Sequence, residues 1–290
     1  MLKGIKAMTD ATNSECPRTP PLKLPRPPAV AKEEFLTTIA QGMWAEEVLR
    51  KAVNNVPELR AIKYGPSRYD GELISNRGKW KEYITRLYRR MSIYGKRPDL
   101  LVFKRHSIPE DVPDDISEED EEAVKSIVSK AIAAFECRSS AYYYEQYVQA
   151  RPGKTLSITV KNEDIERLNK WRSTYCGKIP IYYVQVFFDV AWALPYDHVL
   201  KIIELARMGI KPKGYERRVD KKTEKETHFI PVTEGILCAR AVEEPVMTSE
   251  AIRAWDGKII AVRMPKGGRY QLTDDFIRIL LSHAQPSQAS

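Results

Sequence analysis

The strongest constraint on the fold comes from residues 179–189, where apolar and aromatic side chains follow one another almost without interruption. The run reads Ile-Pro-Ile-Tyr-Tyr-Val-Gln-Val-Phe-Phe-Asp. A strand with one face in water alternates apolar and polar residues, whereas a strand covered on both faces is apolar at nearly every position. The pattern therefore predicts a central strand that lies between two layers of other elements.

Helix-like and strand-like patterns alternate along the rest of the chain. Helices are predicted in six segments: 32–53, 72–94, 117–130, 162–171, 200–208 and 273–283. Strand patterns cover 98–104, 132–138, 155–161, about 228–242 and 258–264, and a loop is predicted at Gly267 and Gly268. The acid-rich start of the helix at 117–130 predicts a solvated face. This alternation predicts an α/β fold in which helices flank the sheet.

Composition divides the chain into three segments. Residues 1–30 are proline-rich, carry scattered Lys and Arg, and predict a flexible basic arm. Residues 31–208 hold the alternating pattern and form the main body of the domain. Residues 209–290 are predicted to extend the same domain and are candidates for recognition or dimerisation elements. With 43% apolar residues among 290, the chain can bury a full core.

The charge of the chain favours a polyanionic partner. Lys and Arg outnumber Asp and Glu by 47 to 39, which gives a net charge of +8. This sign suits nucleic acid, although many basic proteins bind none. No apolar stretch approaches the ~20 residues that cross a bilayer, and the N-terminus lacks the apolar segment of a secretion signal. Four dispersed cysteines without a CxxC pair argue against a zinc site and against a disulfide framework.

Two predicted strands carry an acid at one end of their apolar run. Asp99 precedes the run at 100–103, and Glu136 follows the run at 132–135. If the two strands are neighbours, both carboxylates meet at one sheet edge, where oxygen ligands suit Mg²⁺. The alternative for Asp99 is an ordinary Pro-Asp turn, and the alternative for Glu136 is a solvated strand end.

Three further side chains are candidates for the same site. Arg138 shares a face with Glu136, because side chains alternate along a strand with a period of two. Lys161 ends the predicted strand at 155–161, and the alternative for it is an ordinary surface lysine at a strand end. Glu82 lies on the helix at 72–94 and either faces the sheet or pairs with Arg86 one helical turn away.

The most concentrated basic stretch covers residues 211–228. It is a candidate DNA-facing loop or hairpin, and a solvated loop is an equally good interpretation. Its candidate DNA-binding residues are Lys211, Lys213, Arg217, Arg218, Lys221 and Lys222. The predicted loop at 263–269 is a second candidate region for reading bases.

These motifs together resemble a known family. Arg97-Pro98-Asp99-Leu-Leu-Val-Phe, with Phe135-Glu136-Cys137-Arg138-Ser139-Ser140 after it, resembles the PD-(D/E)xK nucleases, specifically the type II restriction endonucleases. The runs at 159–164 and 182–189 are similar to the AccI-type family. The resemblance covers roughly residues 70–200 and implies a restriction-endonuclease-like core with a mixed central sheet.

The resemblance also implies a role for each candidate residue. Asp99 and Glu136 would bind Mg²⁺, and Glu82 resembles a helix glutamate that assists the metal site in several of these enzymes. Arg138 stands where the motif has lysine, and a guanidinium cannot deprotonate to act as a base. Lys161, at the end of what is expected to be the neighbouring strand, is predicted to take the lysine's role. Arg138 is predicted to contact the scissile phosphate.

The function implied is that of a prokaryotic, cytoplasmic type II restriction endonuclease. Such an enzyme hydrolyses phosphodiester bonds in double-stranded DNA at specific sequences with Mg²⁺ and leaves 5′-phosphate ends. A homodimer and a cognate DNA methyltransferase are the expected partners. Two alternatives stay open: a repair or recombination nuclease on the same core, and a noncatalytic DNA-binding protein, suggested by Arg138 in place of lysine.

Overall fold

The computed structural model describes residues 33–66, 76–175, 177–253 and 256–283. Helices within these ranges are α1 (Glu33–Asn54), α2 (Arg77–Tyr94), α3 (Glu121–Val128), α4 (Tyr144–Ala150), α5 (Asn162–Thr174), α6 (Tyr196–Arg207) and α7 (Asp274–Ser282). No helix in these ranges combines the length and apolar character that crossing a membrane requires. The predicted arm at 1–30 lies outside the described residues.

Ten strands form two sheets in the described part of the chain. The strands are β1 (Leu59–Lys63), β2 (Leu100–Lys104), β3 (Ala133–Ser139), β4 (Ser157–Lys161), β5 (Ile181–Val186), β6 (Val190–Pro195), β7 (Glu216–Val219), β8 (Glu226–Pro231), β9 (Ile236–Arg253) and β10 (Ile259–Leu272). The larger sheet has the order β1-β2-β3-β5-β6-β9-β10, and the smaller one has the order β4-β8-β7. Strands β3 and β5 run parallel, whereas the other paired strands are antiparallel. The predicted mixed α/β sheet is confirmed.

The central strand β5 is buried at every position, as the apolar run at 179–189 predicts. One face of the sheet packs against α1 and α7, through a cluster that includes Trp44 and Phe276. The other face packs against α3, α5 and α6, through a cluster that includes Trp171 and Val199. Two helical layers therefore cover the strand, and this explains why its sequence does not alternate.

Several local predictions are wrong. Gly267 and Gly268 lie inside β10 rather than in a loop. The helix predicted from residue 117 begins at Glu121, after Asp120 at the N-cap. Strand β4 pairs with β8 in the smaller sheet, so it is not the neighbour of β3. The sequence does not predict strands β1 and β6 or helix α4, because short segments give weak periodicity. Residues 57–66, where Pro57, Gly65 and Pro66 indicate a connecting loop, contain β1.

A buried ion pair fixes the segment that leads into β2. The guanidinium of Arg97 donates from Nε to Glu121 at 2.6 Å, and both side chains are almost fully buried. The hydroxyls of Tyr64 and Tyr175 donate to the other oxygen of Glu121. The prediction of a solvated acid face is therefore wrong for Glu121, which is 4% exposed. Its carboxylate anchors the residue two positions before Asp99.

We expect Glu121→Ala to lower the free energy of unfolding by about 3 kcal/mol, because it leaves the buried charge of Arg97 without its partner. The matched control is Glu122→Ala, since the side chain of Glu122 is 63% exposed and its pairing with Lys125 is a loose surface contact. Urea denaturation of both variants measures the difference. Equal stabilities for the two variants would contradict the anchoring role of Glu121.

Candidate active site

The two acids predicted from the sequence meet where β2 and β3 lie side by side. The antiparallel register pairs Leu100 with Phe135, which sets Asp99 opposite Glu136. The Oδ2 atom of Asp99 accepts a hydrogen bond from the backbone N–H of Cys137 at 2.6 Å. The side chain of Glu136 is fully buried.

Two cations and a third acid complete the cluster. Lys96 and Arg138 both donate to Oε1 of Glu136, Arg138 at 2.6 Å. The second arm of the Arg138 guanidinium donates to Oδ2 of Asp164 at 2.8 Å. The ammonium nitrogen of Lys96 lies 3.9 Å from Oδ1 of Asp164. Three carboxylates and two cations are therefore held together at one edge of β3.

Two close backbone approaches position Asp99 and Lys96. A Cβ atom on Gly65 would lie 2.7 Å from the Cα of Asp99, so only glycine fits beside that residue. Gly95 has a φ of 85°, and a Cβ there would lie 2.3 Å from the backbone nitrogen of Trp171. This contact lets the segment after α2 cross closely over α5. The crossing brings Lys96 to the carboxylates.

The electrostatics of the cluster differ between its acids. Burial, and then the neighbouring charge of Glu136, raise the pKa of Asp99 to about 7. Burial also acts to raise the pKa of Asp164, but Lys96 and Arg138 outweigh it and the pKa is lowered. Burial acts to lower the pKa of Lys96, but Asp164 and Glu136 outweigh it and the pKa is raised. Of these two acids, Asp99 is therefore the one whose negative charge the protein compensates less.

The cluster opens into a cavity of about 410 Å³ that α1 and α2 line together with Asp99, Lys96 and Arg138. The Oε2 atom of Glu136 is buried and has no hydrogen-bond partner in the described part of the chain. A carboxylate oxygen without a hydrogen-bond partner, close to the incompletely compensated charge of Asp99, fits coordination of a divalent cation. The described residues contain no cluster of three or more His, Cys, Asp or Glu side chains arranged as a metal site. The fit thus depends on two carboxylates, a number that is usual for Mg²⁺.

The two remaining predicted site residues are not part of this cluster, although the charge of Lys161 acts on Asp164 and helps to lower its pKa. Glu82 is exposed on α2 and does not line the cavity. The residues of α2 that line it are Trp80, Tyr83, Ile84 and Leu87. Lys161 is exposed at the end of β4 and lines a separate cavity with Glu163 and Arg218. The roles of Glu82 and Lys161 remain predictions. Neither has a contact with Asp99 or Glu136 in the described residues.

Three residues of the site were missed by sequence reasoning. Lys96 directly precedes the Arg97-Pro98-Asp99 motif, and Asp164 opens α5. Glu46 lies on α1, is 5% exposed and lines the same cavity as Asp99. A buried acid on an apolar helix face was the available signal for Glu46. Asp164 lies in the run at 159–164 that resembles the AccI-type family, but nothing in that run assigned it a role, and Lys96 carried no signal beyond its place before the Arg97-Pro98-Asp99 motif.

The predicted basic stretch forms a hairpin of β7 and β8 with acids of its own. Arg217 pairs with Glu226, and Arg218 pairs with Glu216 at 2.6 Å. Lys211, Lys213, Lys221 and Lys222 are exposed or partly exposed. DNA binding by this hairpin remains a prediction, and intramolecular ion pairs already neutralise both of its arginines.

A mixed sheet flanked by helices, with two acids from adjacent strands and cations beside them, is the arrangement expected of a PD-(D/E)xK-type nuclease. The comparisons with known proteins agree with this class. A family model described as AccI restriction endonuclease matches residues 5–156 and 148–285. The chain therefore belongs to the AccI restriction endonuclease family, whose members are site-specific deoxyribonucleases. Neither the curated proteins nor the solved structures gave a match.

Proposed function

We propose that this restriction endonuclease hydrolyses phosphodiester bonds of double-stranded DNA with Mg²⁺, and that Asp99 and Glu136 hold the metal. The observation that carries the proposal is the buried, unpartnered Oε2 of Glu136 beside Asp99, whose pKa is raised to about 7 by burial and by Glu136. A divalent cation would complement both carboxylates. When bound there, Mg²⁺ would polarise the phosphate and lower the pKa of a bound water.

The cations of the cluster have separate tasks in this proposal. Arg138 presents a planar fork of donors, which suits the oxygens of the scissile phosphate. Lys96 supplies the amine that the motif lacks at Arg138, because its ammonium contacts Glu136. Asp164 binds both cations and holds them in place. Lys161 is the alternative amine that the sequence suggests.

The products and partners follow from the chemistry proposed. In-line attack of water on the phosphorus expels the 3′ oxygen and leaves a 5′ phosphate. A two-fold homodimer would place one site on each strand of a palindromic target. A DNA methyltransferase of the same specificity would protect the host's own DNA.

Cleavage of unmethylated plasmid and phage DNA tests this function. We expect discrete fragments with 5′-phosphate ends in Mg²⁺, no cleavage in EDTA, and full recovery when Mg²⁺ is added in excess of the chelator. Heterogeneous fragments would favour a repair-type or recombination-type nuclease. Intact DNA across several salt concentrations and divalent metals would contradict the proposal and favour the noncatalytic DNA-binding alternative.

A further inference from the structure

Strands β9 and β10 extend well beyond the rest of the larger sheet. Strand β6 pairs with β9 from Ile236 to Arg240, and farther along β9 the described residues pair only with β10. We call residues 243–253 of β9 and 259–269 of β10 the distal ribbon. Eleven residues per strand, at roughly 3.4 Å each, give it a length of about 35 Å.

One face of the distal ribbon is packed. Ile260 and Val262 are buried against a cluster that includes Leu36 of α1 and Trp80 and Ile84 of α2. At the base of the ribbon, the indole nitrogen of Trp44 donates to the carbonyl of Gly267 at 2.9 Å. These contacts join the ribbon firmly to the first two helices.

The opposite face of the distal ribbon is open. The register pairs Ile259 with Arg253, Ala261 with Ala251, and Arg263 with Ser249, and all six residues are exposed. Because side chains alternate along a strand, these pairs share one face. Among these three pairs, two alanines lie between Arg253 at the tip of the ribbon and Arg263 near its middle. The exposed Met247 follows on the same strand face, closer to the base of the ribbon. The tip half of the open face is therefore shallow and can approach another molecule closely.

The open face carries positive charge that no acid among the described residues neutralises. Arg253 and Arg263 have no ion pair or side-chain hydrogen bond within the described residues. The side chain of the nearby acid Glu250 lies on the packed side of β9, where it pairs with Lys266. In the β7–β8 hairpin, by contrast, the arginines are paired with glutamates of the same hairpin. The ribbon thus offers the free guanidinium groups that base recognition uses most often.

The ribbon and the candidate active site share their supporting helices. α1 and α2 line the cavity that contains Asp99, and the same helices pack against the closed face of the ribbon. Contacts in a packed core fix distances, because close-packed side chains deform little. The ribbon consequently keeps a set position relative to Asp99.

We propose that the open face of the distal ribbon enters the major groove of the target DNA and reads base edges with Arg253 and Arg263. The major groove admits a two-stranded ribbon, and an arginine can bind O6 and N7 of guanine with two hydrogen bonds. The apolar side chain of Ile259 and the alanine pair can contact thymine methyl groups. The role of the ribbon rests on the proposed function, and in that function the ribbon is the element that selects the DNA sequence.

Selection from a random duplex library tests the ribbon without needing cleavage. The protein carries Asp99→Asn, alone or together with Arg253→Ala or Arg263→Ala. We expect a consensus sequence with the ribbon intact. Each arginine variant is expected to bind that consensus about 10- to 100-fold more weakly and to lose the preference at one base pair. Binding to unrelated duplexes is expected to change less than about threefold, since the loss of one positive charge that contacts phosphate weakens nonspecific binding only slightly.

Arg278→Ala is the matched control, because Arg278 is an exposed arginine on α7 that pairs with Asp275. It removes the same charge and is expected to keep the consensus intact. Three results would overturn the ribbon's role: equal weakening on all sequences, an unchanged consensus in both ribbon variants, or a change in oligomeric mass with unchanged DNA binding. If the wild-type chain cleaves no DNA but the consensus appears and depends on both arginines, the proposed function fails and the ribbon inference stands.

Discussion

Replacing Asp99 with asparagine is expected to lower the single-turnover rate of DNA cleavage at least about 1,000-fold. The substitution removes one of the two carboxylates proposed to hold the metal, and metal ions supply several kcal/mol of transition-state stabilisation. A loss of about 4 kcal/mol corresponds to roughly a thousandfold in rate. The asparagine oxygen can still accept the hydrogen bond from the N–H of Cys137. The local backbone is therefore expected to stay in place.

Stability measurements separate this loss from misfolding. The folded protein raises the pKa of Asp99 to about 7, mainly through burial. A carboxyl whose pKa is raised on folding loses stabilising free energy as pH increases from about 4 to about 7. At pH 8 the neutral asparagine avoids this cost. Asp99→Asn is expected to unfold at the same temperature as the wild type or at a higher one.

Asp111→Asn is the matched control, because Asp111 is exposed in the loop region after β2. It makes the same change of charge and is expected to cleave at the wild-type rate. A cleavage rate within tenfold of wild type for Asp99→Asn would remove Asp99 from the metal site. Loss of cleavage in both variants would point to net charge as the cause.

Replacing Lys96 with methionine is expected to lower the cleavage rate about 100- to 1,000-fold, which is within the range for a positioned acid–base group. Methionine keeps the length of the side chain but removes the ammonium that contacts Glu136 and approaches Asp164. DNA binding measured in the absence of divalent metal is expected to change by less than about fivefold. A loss confined to the chemical step would match a role beside the reacting phosphate.

Lys161→Met decides between the two lysines. If Lys96 supplies the amine, Lys161→Met is expected to cleave at nearly the wild-type rate, because Lys161 lies exposed at the end of β4. Lys154→Met serves as the control for the loss of one exposed positive charge. If Lys161→Met cleaves DNA far more slowly than the wild type and Lys96→Met cleaves at the normal rate, Lys161 is the amine of the site, as the resemblance predicts.

The acid pair was predictable because each acid sits at the end of a short apolar run. Such runs indicate strands, and neighbouring strands bring their ends to one edge of a sheet. The shared face of Glu136 and Arg138 followed from the two-residue period, and the ion pair between them confirms it. The hairpin within 211–228 was anticipated as one of two interpretations. The number of charged residues in this stretch does not reveal that Arg217 and Arg218 pair with Glu226 and Glu216, which only the structure shows.

The sequence by itself determined the alternation of helices and strands, the buried central strand and the placement of Asp99 and Glu136 at the ends of two apolar runs, whereas the pairing of β2 with β3 that brings the two acids together was seen only in the structure. These features arise from local periodicity and from the burial of apolar residues. The tertiary structure alone decided that Lys96 and Asp164 join the cluster, because the close crossing of α2 and α5 at Gly95 brings them together. It also decided which face of the distal ribbon is open, since that depends on where α1 and α2 pack. Contacts between residues far apart in the chain produce no periodic pattern in the sequence, so they cannot be predicted from it.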